Sequence, residues 1–263
     1  MIFIHNIDPV AFQIFNISIY WYSLSYLFGF LLSIQYIKYL IKKTNVDIRI
    51  NQVDDFFAWS VIGVIVGGRL GYVVFYNLGY YLINLNEILM VWKGGMSFHG
   101  GLIGLSITMY LFTKKNKIDF FTFANIVACS APIGLFLGRI ANFINGELSG
   151  KPTNGLWGVK FNGEEILRHP SQLYESFFEG IVLFLILYFL VTSQNFKKYN
   201  LACIFLIFYG VFRTIIELFR EPDEHLGQIF FNFSMGQILS LPMIIIGLFF
   251  LRKKNEKNTT KFN

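Results

Sequence analysis

Tyrosine, arginine and glutamate recur on one stripe of an otherwise apolar segment near the C-terminal end of the chain. Tyr209, Arg213 and Glu217 follow one another at intervals of four residues, and that spacing places them on one face of a helix. Arg213 is suited to binding a phosphate, because its planar guanidinium matches the geometry of phosphate oxygens. The alternative is a structural ladder in which Glu217 only neutralises Arg213.

A second polar group occupies residues 138–150, GRIANFINGELSG. Arg139, Asn142 and Asn145 are spaced by three residues, so they share a face if the preceding helix continues through them. The glycines that follow allow the backbone to turn out of that helix. A helix cap and a solvated loop would also explain the asparagines and Glu147, and an arginine that extends toward the membrane surface would explain Arg139.

Two further segments combine polar groups with glycine or proline. His99 lies in SFHGGLIG, and its ordinary pKa of about 6.5 would let it act as a base near neutral pH, although a lone histidine is more often structural. Pro170 in RHPSQLYES predicts the start of a helix, and Glu175 follows it into an apolar stretch. Glycines at spacings of four predict close helix packing: Gly63, Gly67, Gly71, Gly100 and Gly104.

The elements that must position these groups are membrane helices. Hydrophobic residues make up 54% of the chain and charged residues only 14%, whereas soluble proteins have about 25% charged residues. Ionisable groups inside membrane spans are costly and usually face an interior, a partner or a cavity. The polar stripes are therefore candidates for a functional site.

Seven apolar windows are long enough, or nearly so, to cross a bilayer as helices. The predicted fold is all-α, a polytopic membrane protein with about seven transmembrane helices and a small extracytoplasmic head region, in a single catalytic domain over residues 1–263. The windows are Ile17–Leu40, Phe56–Tyr76, His99–Phe112, Phe120–Leu137, Gln172–Val191, Leu201–Phe219 and Ser234–Leu251.

The distribution of lysine and arginine predicts the orientation of these helices, because short cytoplasmic loops are enriched in both. The N-terminus is predicted outside and the C-terminus in the cytoplasm. The net charge of +6 is explained by this topology and by contact with anionic lipid, so it predicts no nucleic-acid partner. The cations that decide it are Lys38, Lys42, Lys43 and Arg49; Lys114, Lys115 and Lys117; Lys197 and Lys198; and Arg252, Lys253, Lys254, Lys257 and Lys261.

Other signals are weak or missing from the sequence. No basic segment precedes the first apolar window, so a cleaved signal peptide is not predicted. Cys129 and Cys203 both lie in apolar windows, where free cysteine behaves as a small hydrophobic residue. Histidine and carboxylate spacing of the H-E-x-x-H kind is absent, so neither a metal nor another cofactor is predicted.

The polar motifs, taken together, resemble those of the bacterial prolipoprotein diacylglyceryl transferases. GRIANFINGELSG resembles a signature of that family, and it occurs with FHGGLIG, RHPSQLYE and YGVFRTIIELFREPD. The similarity extends from SIYWYSLSYLFGF through GGRLGYVVFY to the last loop, and so covers nearly the whole chain.

The resemblance implies a bacterial cytoplasmic (inner) membrane enzyme. It would move diacylglyceryl from phosphatidylglycerol to the lipobox cysteine of a prelipoprotein signal peptide, giving a thioether and glycerol 1-phosphate. It implies catalytic roles for His99, Arg139, Arg213 and Glu217. It implies substrate binding by Tyr22, Arg139, Asn142, Glu147, Gly150 and Tyr209.

The transfer reaction requires ionisation of the thiol and positive charge for the phosphate, and these residues could provide both. Free cysteine has a pKa of about 8.5, so the attacking thiol needs a base or a cationic environment, and His99 is the candidate base. Arg139 and Arg213 would hold the phosphate that leaves, with Glu217 orienting Arg213. A polytopic transporter for an anionic substrate is the alternative, although the inverted repeats typical of such proteins are not found.

Overall fold

The computed structural model describes residues 3–161, 163–193, 200–221 and 234–259, with the side chains of the last helix described as far as Arg252. Lys197, Lys198, the last two residues of YGVFRTIIELFREPD and the tail side chains beyond Arg252 lie outside the described residues. The helices are α1 Trp21–Thr44, α2 Ile50–Tyr76, α3 Leu78–Ile83, α4 Phe98–Asn116, α5 Phe120–Asn145, α6 Ser171–Glu175, α7 Leu183–Thr192, α8 Leu201–Ile216 and α9 Met235–Thr259.

Short elements connect or precede these helices. A π-helical segment, Ser176–Val182, joins α6 to α7 without a break. Short 3-10 turns occupy Leu85–Glu87 and Val91–Lys93. The strands are β1 Phe3–Ile4, β2 Val10–Ile14, β3 Ile17–Tyr20 and β4 Val159–Lys160.

Every predicted apolar window overlaps a helix, but the first window begins too early. Residues Ile17–Tyr20 form β3, and the helix begins at Trp21. The reason is pairing with β2, since Ile14 and Ile17 lie opposite each other across a tight turn in an antiparallel hairpin. The expectation of helix over these four residues was therefore wrong.

Within the described residues, five helices are long and apolar enough to cross a membrane. They are Trp21–Thr44, Ile50–Tyr76, Phe120–Asn145, Ser171–Thr192 and Met235–Arg252. The apolar helix α8 is shorter, and α4 is not among the five. The chain is thus mainly helical and consistent with a multi-pass membrane protein, while seven spans and a head region stay predictions.

The chain divides into two compact units, residues 1–39 with 125–263 and residues 40–124. The first unit contains both strand pairs. Strand β1 pairs in parallel with β4, placing Phe3 opposite Val159, and β2 pairs with β3. The buried ring of His5 lies 5.3 Å from both Phe143 and Phe161, measured between ring centroids. These contacts join the N-terminal segment to the loop that follows α5.

Helices α8 and α9 of the first unit approach closely because glycines face the partner helix. A Cβ on Gly210 would lie 3.0 Å from the carbonyl oxygen of Ser240, and a Cβ on Gly247 would lie 2.9 Å from that of Cys203. The π-helical segment is packed against α5 in the same way, since a Cβ on Gly180 would lie 2.9 Å from the Cα of Phe136.

The second unit is centred on the pair α2 and α4. A Cβ on Gly67 would lie 2.7 Å from the Cα of Gly104, and a Cβ on Gly71 would lie 2.6 Å from the Cα of Gly100. These distances are too short for any side chain, so the two backbones are in direct contact. The sequence-based interpretation of these glycines as helix-packing residues is confirmed.

Arg69 fixes the backbone that follows α3. It is 2% exposed, and its guanidinium lies 5.0 Å from the centre of the Tyr81 ring. It donates hydrogen bonds to the main-chain carbonyls of Glu87, Ile88, Gly94 and Gly95. Because one guanidinium carries five N–H donors in a planar fork, a single side chain can hold both 3-10 turns.

Candidate active site

The C-terminal end of α5 carries the first part of the site. Arg139 and Asn142 share a face of the helix, and the Arg139 Nη1 donates to Asn142 Oδ1 at 3.4 Å. The amide of Asn142 then donates to the Glu147 carboxylate at 2.7 Å, and that of Asn145 does so at 3.2 Å. The predicted stripe is thus a connected chain of polar contacts that ends at Glu147.

The turn after α5 brings Glu147 back toward the helix. Gly146 and Leu148 both have positive φ, 67° and 59°, and such a conformation is unusual for leucine. Side chains from α6 hold it, since Gln172 donates to the carbonyl of Glu147 at 2.6 Å and Ser171 donates to that of Leu148 at 3.1 Å. The segment SQLYE therefore contributes to the site by fixing this turn.

Helix α8 supplies the second part of the site. Tyr209 and Arg213 lie one turn apart and are buried, and Arg213 Nη2 lies 3.1 Å from Glu217 Oε2. Tyr209 stacks on Phe205 with ring centroids 5.7 Å apart. Gly236, at the start of α9, leaves room for the Glu217 carboxylate, because a Cβ there would lie 2.8 Å from its oxygen.

Glu175 at the end of α6 connects the two parts. Its Oε2 lies 2.5 Å from Arg139 Nε, and its Oε1 lies 2.8 Å from Arg213 Nη1. Arg220 also donates to Oε1, at 3.3 Å. Because Glu175 is only 1% exposed, these ion pairs are formed with little competing water. One carboxylate thus brings three guanidinium groups together.

A second buried carboxylate, Glu179, lies one turn beyond Glu175 in the π-helical segment. Its side chain is fully buried, and its Oε1 is 3.9 Å from Arg213 Nη1. Within the described part of the chain, neither of its oxygens has a hydrogen-bond donor. Departures from regular α-helix of this kind occur frequently at functional sites.

At Gly150, the loop that follows α5 pairs through its backbone with two other segments of this unit, a place named here the crossing at Gly150. Its N–H donates to the carbonyl of His169 at 2.8 Å, and it forms an antiparallel bridge with Arg220. A Cβ at this position would lie 2.6 Å from the His169 carbonyl oxygen. Glycine is needed here for close approach of the chain, and this approach places Arg220 beside α6.

Arg168 lies at the edge of the same crossing. It pairs with Glu164 at 2.5 Å and with Glu221 at 2.9 Å, and it also donates to the carbonyl of Gly150 at 3.2 Å. The hydrogen bond with Glu164 raises the pKa of Arg168 above its ordinary value.

Tyr22 and His99 complete the set of residues predicted from the sequence. Tyr22 is at the start of α1 in the first unit, where its hydroxyl lies 3.1 Å from that of Tyr26. His99 belongs to the second unit, in the first turn of α4, with its ring centroid 5.4 Å from that of Phe98. The contacts described above connect Arg139, Asn142, Glu147, Arg213 and Glu217 directly or through Glu175.

Comparison with known proteins identifies the family to which the chain belongs. The model for prolipoprotein diacylglyceryl transferase matches residues 9–252. The phosphatidylglycerol–prolipoprotein diacylglyceryl transferase of Rickettsia felis is 50% identical over 255 residues, covering 96% of this chain and 98% of the relative. That of Rickettsia bellii is 48% identical over 259 residues, covering 97% and 98%. The chain belongs to the prolipoprotein diacylglyceryl transferase family. The resemblance seen in the sequence motifs is confirmed.

Three charged residues in this prolipoprotein diacylglyceryl transferase site were not predicted from the sequence to belong to it. They are Glu175, Glu179 and Arg220, which the structure places around Arg213 and Arg139. A sequence signal for the two glutamates did exist, since carboxylates four residues apart in an apolar window share a helix face. Arg220 had no such signal, because its position depends on the crossing at Gly150.

Replacing Glu175 with glutamine tests its part in this cluster. The amide cannot neutralise three buried guanidinium groups, and removing one partner of a buried ion pair typically costs about 3–5 kcal/mol. We expect Glu175→Gln to lower the free energy of unfolding by an amount in that range, measured on the purified protein in detergent.

Glu221→Gln is the matched control. It makes the same chemical change at a carboxylate whose side chain is 47% exposed, where an ion pair contributes at most about 1 kcal/mol. Equal losses in the two variants would show that Glu175 does not hold the cluster together.

Proposed function

We propose that this chain transfers the diacylglyceryl group of phosphatidylglycerol to the lipobox cysteine thiol of a prolipoprotein. The products are a thioether and glycerol 1-phosphate. The observation that carries this proposal is the pair of arginines, Arg139 and Arg213, whose guanidinium groups contact the two oxygens of the same buried carboxylate. Family membership supplies the two substrates, which are printed in the names of the relatives.

Arg139 is the arginine best placed to receive the lipid phosphate. Its side chain is 15% exposed, compared with 9% for Arg213. Its closest contacts to Glu175 and Asn142 use Nε and Nη1, and a guanidinium carries five N–H donors, so Arg139 has donors beyond these two for a ligand. Arg213 adds a second positive charge beside it. Charge-assisted hydrogen bonds from arginine to phosphate are short and strong.

The reaction places a requirement on these arginines. The sulfur electron pair attacks the glycerol carbon that bears the phosphate, the carbon–oxygen bond breaks, and its electrons leave with the phosphate oxygen. Negative charge therefore grows on the phosphate. Guanidinium groups already fixed by Glu175 and Glu217 would stabilise that charge without reorganising, and such preorganised stabilisation is usually the largest single contribution to catalysis.

The neighbouring polar residues are proposed to orient the lipid and its arginines. Asn142 and Glu147 lie beyond Arg139 along the same chain of hydrogen bonds, where they would meet the glycerol hydroxyls. Tyr22 and Tyr209 are proposed as substrate contacts, and Gly150 contributes through its backbone crossing. His99 is proposed as the base that accepts the thiol proton, because an imidazole can do so near neutral pH.

The proposed location is the bacterial cytoplasmic (inner) membrane, with the N-terminus outside, the C-terminus in the cytoplasm and the arginine site toward the outer leaflet. The lysines in the last turns of α1 and α4 support this orientation. A cysteine introduced at Lys151 is expected to react with a membrane-impermeant reagent in intact cells, and one at Lys42 is not. The reverse labelling pattern would contradict the orientation.

The reaction itself is testable with purified protein, phosphatidylglycerol and a lipobox peptide. Glycerol phosphate should appear in step with a gain in peptide mass equal to a whole diacylglyceryl unit, followed by mass spectrometry. A peptide with serine in place of cysteine should give neither product, because a hydroxyl supplies almost no anion near neutral pH. Gain of a single acyl chain, or glycerol phosphate without modified peptide, would refute the proposed function.

The same assay examines the proposed base. His99→Gln keeps a hydrogen-bonding side chain but cannot take up the proton. Transfer by this variant is expected to be slowed more at neutral pH than at alkaline pH, where the thiol ionises by itself. A loss of rate that is the same at every pH would assign His99 to binding or structure.

The arginine pair is tested by lysine substitution. Arg139→Lys and Arg213→Lys keep the positive charge but lose the planar fork that contacts two oxygens at once. We expect each variant to lose at least about tenfold in kcat/KM, the equivalent of about 1.4 kcal/mol, while it still inserts and purifies as a folded protein. Near-normal turnover in either variant would show that this arginine makes no two-point contact with phosphate.

A further inference from the structure

Within the described residues, the charged groups that form ion pairs around Arg213 are equal in number, three guanidinium groups and three carboxylates. The guanidinium groups are those of Arg139, Arg213 and Arg220, and the carboxylates are those of Glu175, Glu179 and Glu217. Arginine does not lose its proton in proteins, so the cluster is neutral when all three carboxylates are ionised. An uncompensated buried charge is costly, and neutrality is therefore the preferred state of the cluster without lipid.

An anionic phospholipid changes this balance. Its phosphodiester brings one negative charge to a site that has already neutralised its own arginines. The cluster would then carry one excess negative charge in a setting with little water. Either the excess is accepted at a cost in affinity, or one carboxylate takes up a proton.

The three carboxylates differ in how closely they contact arginine, and this difference indicates which of them most readily takes up a proton. Glu175 contacts three arginines at 2.5, 2.8 and 3.3 Å. Glu217 lies 3.1 Å from Arg213, and within the described residues Glu217 and Glu175 each have one oxygen, Oε2, without a hydrogen-bond donor. Glu179 lies 3.9 Å from its arginine, beyond hydrogen-bonding distance, and within the described residues neither of its oxygens has a donor. Glu179 therefore loses the least when it becomes neutral.

The surroundings of Glu179 also couple it to the arginines. The charged and titratable groups that act on it come from every element of the cluster: Arg139 on α5, Glu175 on α6, Arg213 and Tyr209 on α8, and Arg220 after α8. Gly180, the next residue, packs against Phe136 of α5. The carboxylate is fully buried beside Arg213, 3.9 Å from its guanidinium.

We propose that Glu179 is the proton-binding counter-charge of the phospholipid site, ionised when the site is empty and protonated when an anionic phospholipid occupies it. Glu179 acts through the arginines and is a positioning residue. Its neutralisation frees positive charge on Arg213 for the phosphate. The inference rests on the proposed function, because it assumes that Arg139 and Arg213 are the groups that meet the phosphate.

The test is a measurement of protons taken up on lipid binding. A short-chain, ether-linked phosphatidylglycerol is titrated into the full-length protein in detergent, by calorimetry in two buffers with different ionisation enthalpies, over a series of pH values. The wild type is expected to take up close to one proton where Glu179 is ionised in the empty site. Its affinity for the lipid should then fall by up to about tenfold for each unit of rising pH.

Two variants show whether Glu179 is the group concerned. Glu179→Gln carries no ionisable proton, so it should bind the lipid without proton uptake and with little dependence on pH. At high pH it should bind more tightly than the wild type, because the neutral amide leaves positive charge for the phosphate. Glu164→Gln removes a carboxylate whose side chain is 39% exposed, and it should behave like the wild type.

A spectroscopic measurement on the wild type guards against misfolding of the variant. The ether-linked lipid has no ester carbonyl, so the infrared difference spectrum of binding is clear where a protonated carboxyl group absorbs. Such a band should appear when the lipid binds. Absence of both the band and proton uptake in the wild type would overturn the inference, as would undiminished proton uptake in Glu179→Gln.

The outcome can be separated from that of the proposed function. If the wild type transfers diacylglyceryl to the peptide but takes up no proton with phosphatidylglycerol, only the role of Glu179 is wrong. If it neither transfers the group nor binds phosphatidylglycerol more tightly than zwitterionic phosphatidylcholine, the phosphate site itself is wrong.

Discussion

The ion pairs of Glu175 with Arg139, Arg213 and Arg220 are the interaction on which the rest of the first unit depends. A buried carboxylate and a buried guanidinium each lose several kcal/mol of solvation, and only good geometry recovers it. Here one carboxylate satisfies groups from α5, from α8 and from the segment after α8. The positions of these elements are therefore linked, since a shift of any one would leave a buried charge without its partner.

Helix ends, more than helix middles, supply the charged groups. Arg139 lies in the last two turns of α5, and Arg213 lies in the last turn of α8, with Glu217 directly after that helix. Carbonyl groups at a helix C-terminus carry partial negative charge, which favours a cation nearby. This arrangement helps to keep two guanidinium groups in a unit otherwise packed with apolar side chains. Glycines at 150, 180 and 236 then allow the backbone and the Glu217 carboxylate to come close enough.

Local sequence patterns predict the helices and the shared helix faces, but they do not predict contacts between segments that are distant in the sequence. Apolar length predicts the helices, and spacing of three or four residues correctly places Tyr209 with Arg213 and Arg139 with Asn142 on common faces. Strand β3 at Ile17–Tyr20 was missed because strand pairing depends on a partner segment, whereas hydropathy is calculated from one segment alone. The partners of Glu175 were missed for the same reason, since they lie 36 to 45 residues away. The π-helical segment was also not predicted, and Gly180 within it packs against Phe136 of α5.

Arg69 shapes a loop of the second unit through hydrogen bonds to its backbone. It binds the segment after α3 through main-chain carbonyls, while the Glu87–Lys93 ion pair and the positive φ of Gly94 and Gly95 add constraints from the segment itself. Leu89 and Trp92 in the segment are 78% and 76% exposed. Because Arg69 binds carbonyl oxygens here, substitutions at these two exposed positions can change the polarity of the surface without removing any of the hydrogen bonds that Arg69 donates.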